Sequence, residues 1–259
     1  MTRRMPEVRA ALLALGLTVT APLAAQAAPA ADCHDTRFEL TPFTVCSVPF
    51  GADLRLWWRG DDGLPVATFG RLTDMLARQG QHLGFAMNAG MFAPDLRPLG
   101  LTIIDGKTLR PLVTRASAGN FGMLPNGVFC VAADRFAVLE TAAYAAAPPA
   151  CRYATQSGPM LVIAGALHPR FTAASGSTYI RNGVGVSQDG QRAVFAISDA
   201  PVSFHAFARF FRDGLGLPDA LFLDGHTSRL AAPGLNRLDP GFPMGPILGT
   251  VVDGPPPGG

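Results

Sequence analysis

The chain has 259 residues, of which 48% are hydrophobic and 15% are charged, and its formal net charge is +2 at pH 7. Residues 28–259 carry equal numbers of basic and acidic side chains and a single lysine, Lys107, so no basic surface for nucleic acid is expected. This part of the chain is long enough to bury a substantial core, and no Pro/Ser-rich linker or internal repeat divides it.

The N-terminal segment has the pattern of a secretory signal peptide. A basic start precedes an apolar run from Ala10, and Ala25-Gln26-Ala27 forms a small-x-small cleavage site. We therefore expect residues 1–27 to be removed and the protein to be exported, soluble and periplasmic, with no stable membrane insertion. A retained anchor is the alternative, but the apolar run is shorter than the ~20 residues that a spanning helix needs. Residues 28–252 are predicted to form one domain, followed by a disordered tail, 253–259.

Four cysteines follow the predicted cleavage site, and an even count in an exported chain indicates two disulfides. The simplest pairing joins Cys33 to Cys46 and Cys130 to Cys151. Four cysteines allow three pairings, and four buried free thiols are a further alternative. A cysteine-based metal centre is disfavoured because the chain has no Cys-x-x-Cys and its histidines are scattered singly.

Two segments have the spacing of amphipathic helices. Between Val66 and about Gln79 the apolar residues fall on one stripe, and Gly80 can end the helix. Between Ser203 and Asp213 four phenylalanines form an apolar face, which predicts core packing, with Ser203 as the N-cap.

The rest of the chain consists of short apolar runs separated by turn residues. The segments "LGLTIIDGKTLRPL" and "NGVGVSQDGQRAVFAIS" alternate about Asp105-Gly106 and Asp189-Gly190, which is typical of hairpins with primed turns. The segments "GVFCVAADRFAVLE" and "PMLVIAGALHPRF" indicate two further hairpins with looser turns. The predicted fold class is α+β, a single sheet-rich domain of hairpins with a few packed helices.

Polar residues next to predicted strands, with glycines around them, are the candidates for a functional site. No serine-hydrolase elbow, P-loop, zincin motif or dinucleotide fingerprint is present. The candidates are Asn88, Gly90, Asn120, Gln156, Ser157, Arg181, Asp224, Gly225, His226 and Ser228. Singly, each has a structural alternative: Asn88 and Gln156 could satisfy backbone groups, and Arg181 could pair with Asp199. Asn126-Gly127 is better explained as a turn.

Six blocks in order resemble the phosphodiester glycosidase family, over roughly Phe85 to Val252. They are "MNAGMF", "GNF" with "PNGVF", "QSGPMLV", "IRNGVGVSQDG", "ISDAPVSFHAFARFFRD" and "LFLDGHTSRL". The resemblance implies removal of a sugar from a sugar-phosphate diester, and it implies functional roles for Asn88, Gly90, Phe92, Arg181 and the block from Leu223 to Ser228. Many members have Leu-Asp-Gly-Gly-Gly-Ser where this chain has His226 and Thr227. These two side chains reshape whatever sits over the loop, so the substrate of the family's animal member should not be assumed for this chain.

A phosphodiester substrate would relax the need for two catalytic carboxylates. The departing phosphate monoester has a second pKa of about 6 and leaves with little protonation. We expect Arg181 to bind the phosphate and Asp224 to act as nucleophile or as base for water. His226 would protonate or hold the leaving group, while Asn88, Gln156 and Ser228 would bind sugar hydroxyls or phosphate oxygens.

Three alternatives stay open from the sequence. No cofactor is predicted, yet Asp199, Asp224 and Asn88 carry oxygen ligands that suit calcium or magnesium. Attack at phosphorus is as compatible with these residues as attack at carbon. A non-catalytic carbohydrate or envelope-glycan binding protein is the second functional class, and Trp57-Trp58 would be its sugar-stacking aromatics.

Overall fold

The computed structural model describes residues 1–2 and 30–254. The apolar run and cleavage site of the predicted signal peptide lie outside these residues, as does the predicted tail beyond Gly254. Among the helices of the described residues, none is long and apolar enough to cross a membrane.

The secondary structure of the described residues is mostly extended. The strands are, in chain order, β1 (Asp32–Phe38), β2 (Thr41–Pro49), β3 (Leu54–Trp57), β4 (Gln81–Asn88), β5 (Thr102–Ile104), β6 (Lys107–Arg110), β7 (Gly127–Ala132), β8 (Phe136–Glu140), β9 (Cys151–Ser157), β10 (Met160–Ile163), β11 (Ala166–Leu167), β12 (Asn182–Val186), β13 (Arg192–Ser198), β14 (Asp219–Asp224), β15 (Leu230–Ala232), β16 (Arg237–Leu238) and β17 (Ile247–Asp253). The α-helices are α1 (Phe69–Ala77), α2 (Thr141–Ala146) and α3 (Phe204–Arg209), with a π-helical turn at Phe210–Gly214 and a 3-10 turn at Pro233–Leu235.

These strands form three antiparallel sheets within residues 30–254. The first has the order β1-β2-β13-β12-β14-β10-β11, the second β16-β15-β4-β17-β3 and the third β6-β5-β9-β7-β8. The central cluster of buried apolar residues contains side chains from all three sheets, among them Phe195, Phe85 and Phe129. The three sheets therefore share one core, and the domain is mostly β, with fewer helical residues than an α+β class implies.

Four predicted hairpins are present, but their turns differ from the predictions in two places. Asp105 and Gly106 both have positive φ, as a primed turn requires. The turn before β13 is longer than two residues, and only Gly190 of its Asp-Gly pair has positive φ. The tight turn with two positive φ values lies instead at Ala164-Gly165, between β10 and β11.

Both predicted helices are present, although α1 begins at Phe69 rather than at Val66, and the predicted N-cap Ser203 is confirmed. Thr68 Oγ1 accepts from Arg71 N at the start of α1, and Ser203 Oγ accepts from Ala206 N at the start of α3. The predicted second helix changes to π geometry at Phe210, where it packs its phenylalanines into the core beside β12 and β14. Helix α2 was not predicted, because its six residues are too few to show a helical period.

The predicted disulfide pairing is confirmed. Cys33 is bonded to Cys46 across the β1–β2 hairpin, and Cys130 is bonded to Cys151 between β7 and β9. At the C-terminus, β17 reaches Asp253, which pairs with Gln81, so the ordered strand runs one residue past the predicted domain boundary.

Candidate active site

The candidate site lies where the ends of strands from all three sheets meet. Asn88 ends β4 of the second sheet, Ser157 ends β9 of the third, and Asp224 ends β14 of the first. Asn182 begins β12 and is the direct register partner of Asp224, beside a β-bulge. Residues that are far apart in sequence are therefore brought to one place because antiparallel strands end there.

A pair of fully buried asparagines joins the first and second sheets at this point. Asn182 Nδ2 donates to Asn88 O at 3.0 Å and to Asn88 Oδ1 at 2.9 Å. Asn182 Oδ1 accepts from Asp224 N at 2.9 Å, and Asn88 Oδ1 also accepts from Arg229 N at 2.9 Å. The two amides thus hold both ends of the segment 224–229, and Asn88 binds protein backbone in this structure.

The Asp224 carboxyl is buried, with 6% of the residue exposed. Its Oδ1 accepts from His226 N at 2.8 Å and from Thr227 N at 3.3 Å, and no other hydrogen bond to this carboxyl is found among residues 30–254. Burial raises the pKa of Asp224 above its ordinary value, and the backbone N–H groups of 225–227 oppose the rise. A carboxyl with a raised pKa and one oxygen free of protein donors is suited to proton transfer or nucleophilic attack.

The segment after Asp224 is a tight loop closed by Ser228. Ser228 Oγ lies 2.6 Å from Asp224 O and 3.0 Å from Ile180 O, so its hydroxyl is used within the loop. Gly225 packs over the ring of Phe222, where an added Cβ would lie 2.8 Å from Phe222 Cζ. A glycine is needed here because the backbone approaches this ring too closely for a side chain.

Arg181 lies beneath the same loop and is fully buried. Nε donates to Val202 O at 2.8 Å, Nη2 donates to Ser177 O at 3.1 Å, and the guanidinium stacks 3.6 Å from the centroid of the Phe204 ring. Nη1 is buried and has no partner among the described residues, and it would lie 3.4 Å from a Cβ built on Gly225. Burial lowers the pKa of Arg181 to about 10, so the group stays cationic at neutral pH.

The contacts of Asp199 decide one structural alternative for Arg181. Asp199 accepts from Arg237 at 2.6 Å and from Thr44 at 3.1 Å, so Arg181 does not pair with Asp199 as the sequence alternative held. The described residues contain no group of three or more His, Cys, Asp and Glu side chains placed to hold a metal ion.

A cavity of about 270 Å³ opens onto Asp224. Its lining residues are Met91, Phe92, Leu99, Asn120, Asp224, His226 and Thr227. Asp224 is the one carboxylate among them. His226 is solvent-exposed, and Asn120 is half-buried on the wall of the cavity. The structure thus places three of the predicted site residues, Asp224, His226 and Asn120, around one cavity.

Three other predicted substrate-binding residues are sealed inside the protein. The Gln156 amide accepts from Leu101 N and Val113 N and donates to Val113 O and Thr141 Oγ1. Ser157 Oγ donates to Leu223 O at 2.8 Å. Gly90 has φ +154° and lies where a Cβ would be 3.0 Å from Thr155 Oγ1, so it permits β4 to approach β9. These residues support the walls of the site in this structure.

The buried Asn126 is not part of a hairpin turn. It immediately precedes β7, and its Nδ2 donates to Phe121 O at 2.8 Å. The turn interpretation of Asn126-Gly127 is therefore wrong, because Gly127 is already paired with Glu140 and Ser157.

Asn182 and Thr227 were missed as site residues by the sequence reasoning. Asn182 directly follows Arg181 in the block "IRNGVGV", and a buried amide at the start of a glycine-spaced strand was the available signal. Thr227 occupies one of the two positions where many family members have glycine, and it lines the cavity.

Comparison with known proteins shows the family to which the chain belongs. The family model for phosphodiester glycosidase matches residues 81–237, which contain every predicted site residue. The chain therefore belongs to the phosphodiester glycosidase family. The Escherichia coli (strain K12) protein YigE, itself uncharacterized, is 33% identical over 220 residues, covering 85% of this chain and 84% of YigE.

Two solved structures share the fold. The catalytic domain of zebrafish N-acetylglucosamine-1-phosphodiester alpha-N-acetylglucosaminidase, auto-inhibited by its pro-peptide, has a TM-score of 0.60 and 16% identity, over 87% of this chain and 86% of that chain. A Burkholderia pseudomallei K96243 protein described as exported has a TM-score of 0.54 and 13% identity, over 81% of this chain and 74% of that chain. At these identities the likeness concerns the fold alone.

Proposed function

We propose that this protein is an exported, periplasmic hydrolase that cleaves a sugar from a sugar-1-phosphodiester. Membership of the phosphodiester glycosidase family supports a hydrolase of this type. The observation that carries the proposal is the buried Asp224 carboxyl, with its raised pKa, on the wall of a cavity that His226 and Asn120 also line.

In the proposed reaction water attacks the glycosidic carbon and gives its proton to the Asp224 carboxylate, or the carboxylate attacks first and water then hydrolyses the glycosyl ester that it forms. The bond from this carbon to the phosphate oxygen breaks, and the phosphate monoester departs with the bonding electrons. Because the second pKa of a phosphate monoester is about 6, it leaves at neutral pH with little or no protonation. One carboxylate then suffices, which accords with Asp224 being the one acidic residue of the cavity lining.

The other residues have separate roles in this proposal. His226 holds or protonates the departing phosphate, and Asn120 donates to sugar hydroxyls, since both lie on the cavity wall. Arg181 meets the phosphate through its unpartnered Nη1, which requires the backbone at Gly225 to shift because the guanidinium is closed off from solvent. Asn88, Asn182, Gln156, Ser157 and Ser228 position these groups through the hydrogen bonds described above.

The test is turnover of a panel of sugar-1-phosphodiesters, including nucleotide sugars, with products detected by mass spectrometry. We expect the protein to cleave at least one member and Asp224→Asn to lower that rate by about 10²–10⁴-fold. Asp219→Asn is the matched control, since Asp219 begins the same strand and its side chain only accepts from Ala164 N. Near-normal turnover by Asp224→Asn removes the catalytic assignment.

A non-catalytic carbohydrate-binding protein is the second candidate. The contacts that connect Asp224 to Asn88 through Asn182, with Arg181 under the same loop, favour an enzyme over it. Absence of turnover on every member of the panel, with the protein folded, would favour the binding protein.

A further inference from the structure

A groove along the edge strand β3 shares no lining residue with the cavity of Asp224. Strand β3 is the last strand of the second sheet, and on its open side it faces β5 and β9 of the third sheet. Between them lie two cavities of about 600 and 350 Å³, and both are lined by Arg55 and Arg152. A third, of about 290 Å³, continues from the second and shares Asp61 with it. We name these three connected cavities the β3 groove.

The β3 groove is large enough to hold a ligand. Its first two cavities fall within the range of about 300–1,000 Å³ that is usual for ligand sites. Each of them exceeds the 270 Å³ cavity beside Asp224, and a cavity of about 440 Å³ lies elsewhere, beside Arg135. Cavities that share lining residues from one to the next suit a linear chain of several units.

The charges along the first two cavities are balanced. The charged lining residues are Arg55, Arg59, Arg152, Asp53, Asp61 and Asp105. Arg55 Nε donates to Asp53 Oδ1 at 2.9 Å, and Arg152 Nε lies 3.4 Å from Asp105 Oδ1. Because opposite charges alternate and pair, the groove has no excess charge to attract a polyanion, whereas both donors and acceptors are available to neutral hydroxyl groups.

A tryptophan supplies the aromatic part of the same surface. Trp57 and Tyr153 both line the second cavity, but Tyr153 is buried, with 3% of the residue exposed, so its ring offers no face to a ligand. Trp57 is half-buried, and among residues 30–254 no acceptor is found for its indole N–H, whereas Trp58 Nε1 donates to Leu96 O. The Tyr153 hydroxyl donates to Asp105 Oδ1 at 2.8 Å, which fixes its ring. An aromatic face beside paired Arg and Asp side chains is suited to a sugar ring, which has apolar C–H faces and hydroxyls at its edge.

We propose that the β3 groove binds a neutral linear oligosaccharide, at a site separate from the cavity of Asp224. Trp57 stacks against a sugar ring and donates from its free indole N–H, while Arg152 and Asp105 bind hydroxyls. This site goes beyond the proposed hydrolase activity and does not depend on it. It would hold a glycan chain on the protein surface whether or not that chain carries a phosphodiester.

The positions of the tryptophans make the proposal directly testable. The chain has two tryptophans, Trp57 and Trp58, and neither lines the cavity of Asp224. We expect maltohexaose, cellohexaose or chitohexaose to change the tryptophan fluorescence of the purified protein with a Kd of about 0.1–1 mM. Arg152→Ala should weaken that binding about tenfold, through loss of hydrogen bonds to the sugar.

Three further variants test whether the sugar binds in the groove itself. Arg135→Ala removes an exposed arginine from a different cavity and should leave binding unchanged. Asp224→Asn should also leave it unchanged, which distinguishes the groove from the candidate active site. Trp57→Phe keeps an aromatic side chain in the core beneath α1 but removes the indole N–H, and calorimetry should show weaker binding. No fluorescence change with any of the three sugars, or equally tight binding by Arg152→Ala, overturns the proposal.

Discussion

The candidate active site and the β3 groove use the same kinds of side chain in opposite environments. At the candidate active site Asp224 and Arg181 are buried, their hydrogen bonds are to backbone groups, and Arg181 also stacks on the Phe204 ring. Burial raises the pKa of Asp224 and lowers that of Arg181, which in each case favours the uncharged form. In the groove Arg152 and Asp105 are more than half exposed and pair with each other. Desolvated, unpaired charges are reactive, whereas exposed pairs offer hydrogen bonds without chemistry. The difference therefore accords with the proposed roles, reaction at the cavity of Asp224 and binding in the groove.

Among the variants that test this difference, the largest effect is expected from the replacement of Asn182. In Asn182→Ala the backbone N–H of Asp224 and the side-chain oxygen of Asn88 lose buried partners, so the Asp224 loop is no longer held. We expect the free energy of unfolding to fall by about 1–3 kcal/mol. We also expect kcat to fall by about 10²-fold with little change in KM.

Asn126→Ala is the matched control, because Asn126 is an equally buried asparagine whose amide bonds to Phe121 O away from the loop. It should lose stability but retain kcat, as measured by urea unfolding and by turnover at a temperature where both variants are folded. An equal loss of kcat in the two variants would contradict a positioning role for Asn182.

Arg181→Lys should separate phosphate binding from structure. Lysine lacks the planar, forked guanidinium group of arginine. It therefore cannot make both backbone hydrogen bonds of Arg181, and it cannot stack flat on the Phe204 ring. If Arg181 binds the phosphate, KM should rise about tenfold for phosphodiester glycosides and stay unchanged for uncharged aryl glycosides. Equal changes for the two classes of substrate, measured by initial rates, would show that Arg181 is structural.

The pH dependence of the rate should report the buried carboxyl. Because burial raises the pKa of Asp224, kcat should fall on acidification at a higher pH than the ordinary Asp value of about 3.9 implies. A pH–rate profile with an unshifted acidic limb would contradict Asp224 as the ionised catalytic group.

A smaller effect is expected on stability. A raised pKa in the folded state means that the folded protein binds this proton more tightly, so the contribution of Asp224 to stability declines as pH rises through that pKa. Asp224→Asn removes the buried charge but keeps an oxygen for the N–H groups of His226 and Thr227. Its Tm should exceed that of the parent at neutral pH and approach it on acidification. Scanning calorimetry at several pH values tests this, and a lower Tm at neutral pH would argue that the carboxylate stabilises the fold.

The smallest effect belongs to the groove. Arg152→Ala removes an exposed side chain whose pair with Asp105 has an N···O distance of 3.4 Å, so stability should change by less than about 0.5 kcal/mol. Turnover of a small sugar-1-phosphodiester should be unchanged. A reduced rate on that small substrate would show that the β3 groove and the candidate active site are coupled.

The sequence by itself determined the local features of this protein. Gly80 follows the end of helix α1, Ser203 caps α3, and Asp105-Gly106 forms a primed turn, because caps and turns depend on side chains close in sequence. The two disulfides also join cysteines that follow one another along the chain, Cys33 with Cys46 and Cys130 with Cys151. The ordered blocks also indicated the family, and they placed Asp224, His226 and Asn120 among the site residues.

Only the tertiary structure decided which of the predicted residues face the cavity. Gln156 and Asn88 carry the same amide donors and acceptors as Asn120, and Ser157 carries a hydroxyl, but all three are buried and their hydrogen bonds go to other groups inside the protein. The positioning role of Asn182 follows only from the contacts that it makes between β12, β14 and β4. The β3 groove exists only because the second and third sheets pack with a gap between them. Burial, the resulting shifts in pKa and the shapes of cavities depend on contacts between residues that are distant in sequence, and for that reason no local pattern contains them.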